Sequence, residues 1–554
     1  MSKKTTYFAD FETTKINKDG AVEVYLWCMI SENGKRYHGF NIESFIEQTF
    51  KMRGVCFFHN LRFDVSYIHS YLLQKNIDYG ILEKKNTIYS FRYGNFELRD
   101  TLNFLPISLA EMGEQYCTKF KKTSIDYNHN IGDEVTAEEI DYCFNDCEVL
   151  REGFTNFKSA LIELLTESGC TRSIHELNKK LTIAGVAFSV FRELSLFDKI
   201  CPKTTPLEFQ NFKGAYKGGY VYSNSAYGLA ENVKMIDCNS MYPSIYAEMP
   251  LPFGRAYRLK TFSELEKAEF FIAKILIKYD LKEGFVPIIG GGVGKFGAIN
   301  YKASSEGEYE ELTVCSIDLE LIKKYYDCDI RYIWAFKWHT KPNFFKNFAD
   351  IFINFKNQFK GVKRNVAKLI LNSPYGKTAM NGFNDVKNYF LENGVVKSEV
   401  VGYHLDTDAF QYLPIAIAIT AGARKKLLEA GEAVGFENVL YMDTDSVKFI
   451  GDCPPNLDIN PDKLGAWKDE GTAEFFKTIA PKKYIYYEKN QLHVTCAGFN
   501  KKNIQKAFKC DEILQKNHAL ELMREFKPGF ALECLQSKLT KGGRALVEVV
   551  KVIK

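Results

Sequence analysis

Two sets of acidic residues in this chain have the spacing needed to hold divalent cations. The first begins at Asp10-Phe11-Glu12, inside an apolar strand-like run. On a strand the period of two puts both carboxylates on one face. Carboxylates forced together repel unless a cation lies between them, and Mg²⁺ prefers such oxygen ligands. Asp64 follows in His59-Asn60-Leu61-Arg62-Phe63-Asp64, read as a loop. Tyr142-Cys143-Phe144-Asn145-Asp146 then sets a phenol and a carboxylate four apart, on one face of a helix. Asp10, Glu12, Asp64 and Asp146 suit two cations ~3.5–4 Å apart, an arrangement that hydrolyses phosphodiesters, with Tyr142 holding the attacking water. An exposed strand face would explain Asp10 and Glu12 alone, but not the four pieces in this order.

The second set is Asp237, at the end of an apolar run, with Asp443 and Asp445 in Tyr441-Met442-Asp443-Thr444-Asp445-Ser446. The latter pair falls on a turn between two strand-like runs, where like charges stand close and call for a cation. Two Mg²⁺ ions shared with Asp237 would activate a primer 3′-hydroxyl and stabilise a leaving pyrophosphate. Between the sets, Lys356, Lys360, Arg364 and Lys368 recur at intervals of four, and Asn372 extends the same helical face. Such a stripe, with Tyr375 beside it, suits triphosphate oxygens and an aromatic against the sugar or base. Gly292-Val293-Gly294-Lys295-Phe296-Gly297 matches a dinucleotide-binding glycine pattern. No helix follows it to receive a pyrophosphate, so it reads as a surface loop.

The elements that must position these residues read as mixed α/β. Strands are expected at Thr5–Phe11, Val22–Met29 and Val55–Phe58, with helices at Ile42–Phe50 and Ala137–Phe154. Helical patterning continues to Phe197, and strands return at Val233–Asp237 and Phe270–Ile277. Asn343–Ala379 reads as a helical pair turning near Lys360-Gly361, and Pro414–Glu432 as a helix before strands Val439–Met442 and Ser446–Ile450. A turn at Lys541-Gly542-Gly543 precedes a valine-rich strand. The length of 554 residues suggests about three or four domains. The formal net charge of +4 is segregated: 344–379 carries seven basic residues against one acid, and 501–554 twelve against six. Each stretch is therefore +6 and the remainder −8, which suits a protein gripping a polyanion while keeping acidic pockets for cations. No apolar run approaches the ~18 residues of a membrane helix, and no signal peptide opens the chain. The 14 cysteines show no zinc-binding spacing and read as reduced thiols.

Together these motifs resemble the family B DNA polymerases, and within them the protein-primed bacteriophage branch, the phi-29-type polymerases. Asp237-Cys238-Asn239-Ser240-Met241-Tyr242-Pro243-Ser244, Lys368…Asn372-Ser373-Pro374-Tyr375-Gly376 and Tyr441…Ser446 look like the three polymerase motifs. Asp10-Phe11-Glu12, Asn60…Asp64 and Tyr142…Asp146 look like the three proofreading exonuclease motifs. Tyr216-Lys217-Gly218-Gly219 resembles the motif that steers the primer end between the two sites. Thr420…Arg424 and Lys482-Lys483-Tyr484 resemble the template- and primer-holding motifs. Ser316–Tyr326 and Asn381–Tyr412 take the places of two terminal-protein-region insertions, the first contacting a priming protein, the second ringing the DNA for processivity and strand displacement.

The resemblance implies an α/β multidomain fold: a ribonuclease-H-like 3′–5′ exonuclease domain (1–178), palm (179–248 and 413–514), insertion 1 (249–343), fingers (344–379), insertion 2 (380–412) and thumb (515–554). It implies that Tyr242 stacks under the nucleotide sugar, that Lys356, Lys368 and Asn372 bind the nucleotide, and that Tyr375 lines the base pocket. It also implies DNA contacts by Thr13, His59, Asn60, Phe63, Thr101, Leu102, Tyr127, Tyr216, Gly218, Gly219, Ser240, Thr420, Arg424, Lys482 and Tyr484, and a catalytic role for Lys122. Two Mg²⁺ per active site, with Mn²⁺ as substitute, would be held by Asp10, Glu12, Asp64 and Asp146 at one centre and Asp237, Asp443 and Asp445 at the other. The expected partners are primer-template DNA, dNTPs and a terminal protein; the expected setting is a monomer in the host cytoplasm, with no membrane and no clamp-binding tail. Met241 stands where leucine is usual, a tolerable swap. Pro374 is expected to end or kink the finger helix before Tyr375. A nuclease with a degenerate polymerase half, or a non-catalytic DNA-binding replication factor, would not need both acid sets intact.

Overall fold

In the N-terminal part, apolar β-branched and aromatic runs build a seven-stranded sheet: β1 (Thr5–Thr13), β2 (Val24–Ser31), β3 (Arg36–Gly39), β4 (Gly54–Phe58), β5 (Gly80–Lys84), β6 (Thr87–Tyr93) and β7 (Phe96–Asp100). Their order is β3-β2-β1-β4-β7-β6-β5. The structure is a computed structural model that describes residues 4–85, 87–125, 129–293 and 299–553. Tyr127 and the Gly294–Gly297 part of the glycine-rich stretch lie outside the described residues; beyond them Ile299–Lys302 is a strand, as the absence of helical patterning requires.

β1 runs antiparallel to β2 and parallel to β4, so its C-terminal end carries Asp10 and Glu12 at the middle of the sheet. Four helices serve this sheet: α1 (Ile42–Phe50), α2 (Leu61–Gln74), α3 (Leu109–Tyr116) and α4 (Ala137–Glu167). Thr136 and Glu139 form a capping box that starts α4, satisfying backbone donors that a helix N-terminus leaves open. Cys143 and Cys147, four apart on α4, pack with Leu26, Cys28 and Ile30 of β2. That packing fixes which face of α4 turns toward β1.

A second seven-stranded sheet follows, wholly antiparallel where its pairs are defined: β8 (Val221–Ser223), β9 (Leu229–Cys238), β18 (Val439–Asp443), β19 (Ser446–Ile450), β20 (Trp467–Ala480), β21 (Lys483–Glu488) and β22 (Gln491–Cys496). The order β22-β21-β20-β9-β19-β18-β8 makes strands more than 200 residues apart in sequence direct neighbours. The helix Leu413–Val434, opened by Pro414 in its first turn where no amide partner is lost, packs behind this sheet with the helix Met241–Glu248.

Four pieces are hung on this frame. A sheet of β10 (Leu251–Arg258), β11 (Phe270–Leu281), β14 (Glu310–Cys315) and β15 (Tyr326–Lys341), accompanied by the small pair β12 (Ile289–Val293) and β13 (Ile299–Lys302), packs against the helix Ser316–Tyr325. The helical pair Lys346–Gln358 and Gly361–Asn372 comes next. A hairpin of β16 (Phe383–Glu392) and β17 (Val395–Leu405) and a C-terminal hairpin of β23 (Ala531–Thr540) and β24 (Gly543–Val552) complete the chain. The last turns at Lys541-Gly542, as the glycines suggest, with Gly542 at φ +92°. The β16–β17 hairpin was not legible, because neither strand has a fully buried face and their sequences carry no clean apolar alternation.

Pro374 acts as expected: the second helix of the pair ends at Asn372, and Tyr375–Ala379 is a short 3₁₀ turn. The even spacing of Lys356, Lys360, Arg364 and Lys368 does not make one helical face. The helix breaks after Gln358, Lys360 precedes the next, and Gly361 takes φ +56°. The antiparallel pair instead folds Lys368 and Arg364 back toward Lys356, whose ammonium is pushed down first by burial and then by those two cations.

Candidate active sites

In the N-terminal centre, Asp10 and Glu12 leave β1 on one face, and oxygens of both lie within 4.8 Å of the Cys143 sulfur on α4. Asp64 belongs to the first turn of α2 rather than to a loop; Asn60, at φ 70°, turns the chain into that helix. Asp146 reaches the same cavity from α4, and this cavity of about 1300 Å³ is lined by all four acids and Lys122. Burial holds the carboxyls of Asp10, Glu12, Asp64 and Asp146 above their usual range. For Asp10 the neighbouring charges of Asp64, Glu12 and Asp146 add to it. Lys122 counters this by pairing with Asp146 and donating to the Tyr142 hydroxyl at 3.0 Å. The remaining oxygen of Asp146, Oδ1, is buried with no hydrogen-bond partner. Buried carboxylates so crowded match what a cation-binding centre needs.

Thr13, His59, Asn60, Phe63 and Leu102 line one side of the cavity. Leu535, Leu546 and Val547 of the C-terminal hairpin roof the other, and the Tyr67 hydroxyl of α2 donates to the Arg544 carbonyl of β24. Thr101 departs from expectation. It is fully buried, its hydroxyl donates to the Phe58 carbonyl at 3.0 Å, and it lies 2.8 Å from His59 Nδ1. It supports His59 from beneath and does not face the cavity. Burial brings the His59 imidazole down to about 4, so the ring is neutral at pH 7.

In the second centre, register places Asp237 of β9 opposite Ser446 of β19, and Asp443 of β18 opposite the same Ser446. Thr444 makes the turn at φ 57°, unusual for a β-branched residue. Its amide donates to the Tyr220 carbonyl at 2.9 Å and its hydroxyl to Asp443 Oδ1 at 3.0 Å, which hold it there. Asp237 is pushed up to about 7 by burial, then by Asp445 and Glu470. Asp445 is also raised, by burial and then Asp443. Lys482 Nζ donates to both oxygens of Asp443, at 2.9 and 2.7 Å. A lysine thus neutralises one acid in each centre: Lys122 in the first, Lys482 in the second.

The aromatic residues converge as well. Tyr242 and Tyr375 stack at 4.2 Å between ring centroids, 19° apart, joining the helix after Asp237 to the end of the helical pair. Lys356 donates to Asn239 Oδ1 at 2.8 Å and is nearly buried, whereas Lys368 is exposed and Asn372 caps back onto the Lys368 carbonyl. Ser240 takes φ 56° to start the helix Met241–Glu248. Cys238, beside Asp237, is buried and turns its thiol to the Gly465 carbonyl, away from the acids.

DNA polymerases of type B, organellar and viral, match residues 48–131 and 127–410 of this chain. The chain belongs to that family. The DNA polymerase of Bacillus phage Nf is 29% identical over 523 residues, covering 88% of this chain and 87% of its own. That of Bacillus phage phi29 is 28% identical over 580 residues, covering 94% and 95%. The structure of phi29 DNA polymerase complexed with primer-template DNA and incoming nucleotide substrates superposes with a TM-score of 0.85 at 24% identity over 100% of both chains. The type B polymerase fold expected from the motifs is therefore the fold of this chain.

Two positions expected to touch DNA are placed inside this polymerase fold. Thr420 is buried and its hydroxyl donates to the Ala416 carbonyl at 3.0 Å within its own helix. Arg424 is buried too, with both Nη2 bonds to Asp318 at 2.8 Å and Nη1 bonds to the Lys217 and Gly218 carbonyls at 2.9 and 3.0 Å. Asp318, itself held down against burial by Arg424, belongs to the helix Ser316–Tyr325. Arg424 therefore straps Tyr216–Gly219 in place and offers no surface to template. A Cβ on Gly219 would lie 2.5 Å from Thr444 Oγ1, so the strap presses on the turn that carries Asp443 and Asp445. Tyr216 is exposed, and Lys482 and Tyr484 border the second centre, Tyr484 lying 4.9 Å from Tyr441. Sequence reading missed Lys448. It is buried on β19 among Asp237, Asp443, Asp445 and Glu470, its ammonium pushed down mainly by burial. A lysine inside the apolar run Val447–Ile450 was the available signal. Among the described residues no helix is long and apolar enough to cross a membrane.

Proposed function

We propose that the chain is a DNA-directed DNA polymerase with a 3′–5′ proofreading exonuclease. The observation that carries this reading is the pair of separate acid centres, each built around an interior strand of its own sheet, β1 in one and β9 in the other. Asp237, Asp443 and Asp445 would hold two Mg²⁺ ions for nucleotidyl transfer, with Mn²⁺ as substitute; Asp10, Glu12, Asp64 and Asp146 would hold two for hydrolysis. When bound, the ions lower the barrier to attack by a hydroxyl or water and stabilise the leaving oxygen. The crowded, raised carboxyls and the unpaired Asp146 Oδ1 fit that demand.

The chain's own residues supply the rest. Tyr242, stacked on Tyr375, gives a flat floor for the sugar and base, and Lys368 and Lys356 give cations for the phosphates. Asn372, one turn on from Lys368, ends the helix with its side-chain amide donating to the Lys368 carbonyl and adds a polar group for the nucleotide. Lys482 leaves Asp443 to meet the primer terminus, with Tyr484 beside it. At the N-terminal centre Thr13, His59, Asn60, Phe63 and Leu102 receive a frayed strand, Tyr142 orients the water, and Lys122 balances Asp146. The divisions 1–178, 179–248, 249–343, 344–379, 380–412, 413–514 and 515–554 as exonuclease, palm, insertion 1, fingers, insertion 2, palm and thumb belong to this reading, supported by the separate sheets and hairpins.

Initiation on a protein hydroxyl, strand displacement and processive synthesis in the host cytoplasm are the finer part of the proposal. They draw support from relatives in Bacillus phages and from the two inserted pieces. Incubation with dNTPs, Mg²⁺ and the phage's candidate terminal protein tests initiation. The proposal expects a covalent protein–dNMP adduct; no adduct with any protein of that phage would refute it.

A further inference from the structure

The Lys356 ammonium is held by one neutral side chain. Lys356 lies in the last turn of the helix Lys346–Gln358 and is 9% exposed. Among the described residues its Nζ has a single hydrogen-bond partner, Asn239 Oδ1 at 2.8 Å, and forms no ion pair. Asn239 stands two residues after Asp237 and three before Tyr242. Buried charges are ordinarily met by an opposite charge. Here a carboxamide oxygen aims the ammonium without cancelling its charge, and takes only one of its three N–H groups. The amide itself cannot turn. Asn239 Nδ2 donates to the carbonyls of Pro461 and Lys463 at 3.2 and 3.1 Å, which uses both of its N–H groups. A flip would set the amine against the ammonium and the oxygen against two carbonyls, so the network fixes where Oδ1 points.

The backbone of Asn239 is pinned by the same segment: its amide donates to the Ala466 carbonyl and its carbonyl accepts from the Gly465 amide, both at 2.9 Å. All four partners belong to the loop 451–466 between β19 and β20. Asn460 sets the turn of that loop, its Oδ1 accepting from the amides of Asp462 and Lys463 at 3.0 and 3.1 Å. We propose that Asn239 is a positioning residue, locked by the loop 451–466, that holds the Lys356 ammonium toward the phosphates of the incoming nucleotide. This rests on the polymerase reading above and adds to it a residue that acts through Lys356. Lys368 and Arg364 crowd the same ammonium. Without an anchor, like charges would turn it out of the site before the nucleotide arrives.

Steady-state extension of a labelled primer by the full-length protein in Mg²⁺, with dNTP varied, tests the assignment. Asn239→Ala should raise the KM for dNTP at least about tenfold, about 1.4 kcal/mol, while kcat falls by less than about threefold. Lys356→Ala should raise KM at least as much. The double substitution should add nothing to Lys356→Ala, because Asn239 acts only through that ammonium. Should Asn239→Ala melt early, Asn460→Ala carries the test, since it loosens the loop without touching the lysine. Its KM should rise at least about threefold, and the rise should vanish in the Lys356→Ala background. An unchanged KM in the folded variant overturns the assignment, as do KM increases that multiply in the double substitution or a loss confined to kcat. A wild type that does not extend primers refutes the polymerase reading and this assignment with it. A wild type that extends beside a variant of unchanged KM refutes this assignment alone.

Discussion

Asp237 carries its proton to about pH 7 in the folded chain, against about 3.9 for a free aspartate. Its folded pKa is raised, so this group favours folding at low pH, and the metal-free protein loses that stability as pH rises from about 4 through about 7. Asp10, Glu12, Asp64 and Asp445 are raised too and act in the same sense. A divalent cation held by the ionised carboxylates, as the proposed function requires, would reverse the loss. Melts in chelator and in Mg²⁺ should therefore show a larger Mg²⁺-induced rise in Tm at about pH 8.5 than at about pH 5.5; an equal rise would deny that these acids bind the ion. Lys448 acts on the same scale. Replacing it with Met removes the buried cation facing Asp237, Asp443, Asp445 and Glu470. The expected result is a further upward move of the pH at which Mg²⁺ begins to support extension, read from a pH–rate profile. A profile matching wild type would remove Lys448 from the site.

At the scale of elements, the strap that ties the helices Ser316–Tyr325 and Leu413–Val434 to the segment Tyr216–Gly219 is the most exacting contact. Asp318 lies on the helix Ser316–Tyr325, Arg424 on Leu413–Val434, and the carbonyls they fix belong to Lys217 and Gly218. Breaking one side of a buried ion pair leaves an uncompensated charge and costs about 3–5 kcal/mol. Asp318→Ala should lower Tm accordingly and reduce extension. Gly219→Ala should be narrower in effect. Its Cβ would press on Thr444 at 2.5 Å, so extension should fall at least about tenfold, an activation loss near 1.4 kcal/mol, with 3′ degradation retained. Normal extension by Gly219→Ala would show that the strap does not set the acid-bearing turn.

Those two contacts also mark the limit of what the chain reveals when read alone. Asp10, Glu12, Asp237, Asp443 and Asp445 were legible because they sit in or beside short apolar runs, where period and turn residues fix the local geometry: Asp10 and Glu12 share a strand face, and Asp443-Thr444-Asp445 is a hairpin turn. Tyr142 and Asp146 were legible for the same reason on a helix. The basic stripe misled, because Gly361 breaks the helix that a spacing of four assumes. Arg424 and Thr101 look like surface contacts in a motif, yet their roles depend on Asp318, 106 residues away, and on His59, 42 residues away. No local pattern encodes partners at such distances.

For the whole molecule, the centres share one frame but not one roof. The C-terminal hairpin covers the N-terminal cavity, and the hairpin β16–β17 reaches the same domain through Glu83, which accepts bonds from Lys387 and the Tyr389 hydroxyl. The tips of the two hairpins also meet, Gly542 donating to the Gly394 carbonyl at 3.2 Å. Glu83→Ala removes both latch bonds. Synthesis through a duplex block should slow several-fold while extension on an open template stays near wild type; equal rates on both templates would show that this closure plays no part in strand displacement. The central claim is that two independent acid centres serve polymerisation and 3′ degradation. One gel tests it most directly, following a labelled primer on a template in Mg²⁺ with and without dNTPs. Wild type should extend and degrade, Asp445→Ala should degrade only, and Asp10→Ala with Glu12→Ala should extend only. Loss of both activities in either variant, or normal extension by Asp445→Ala, would contradict it.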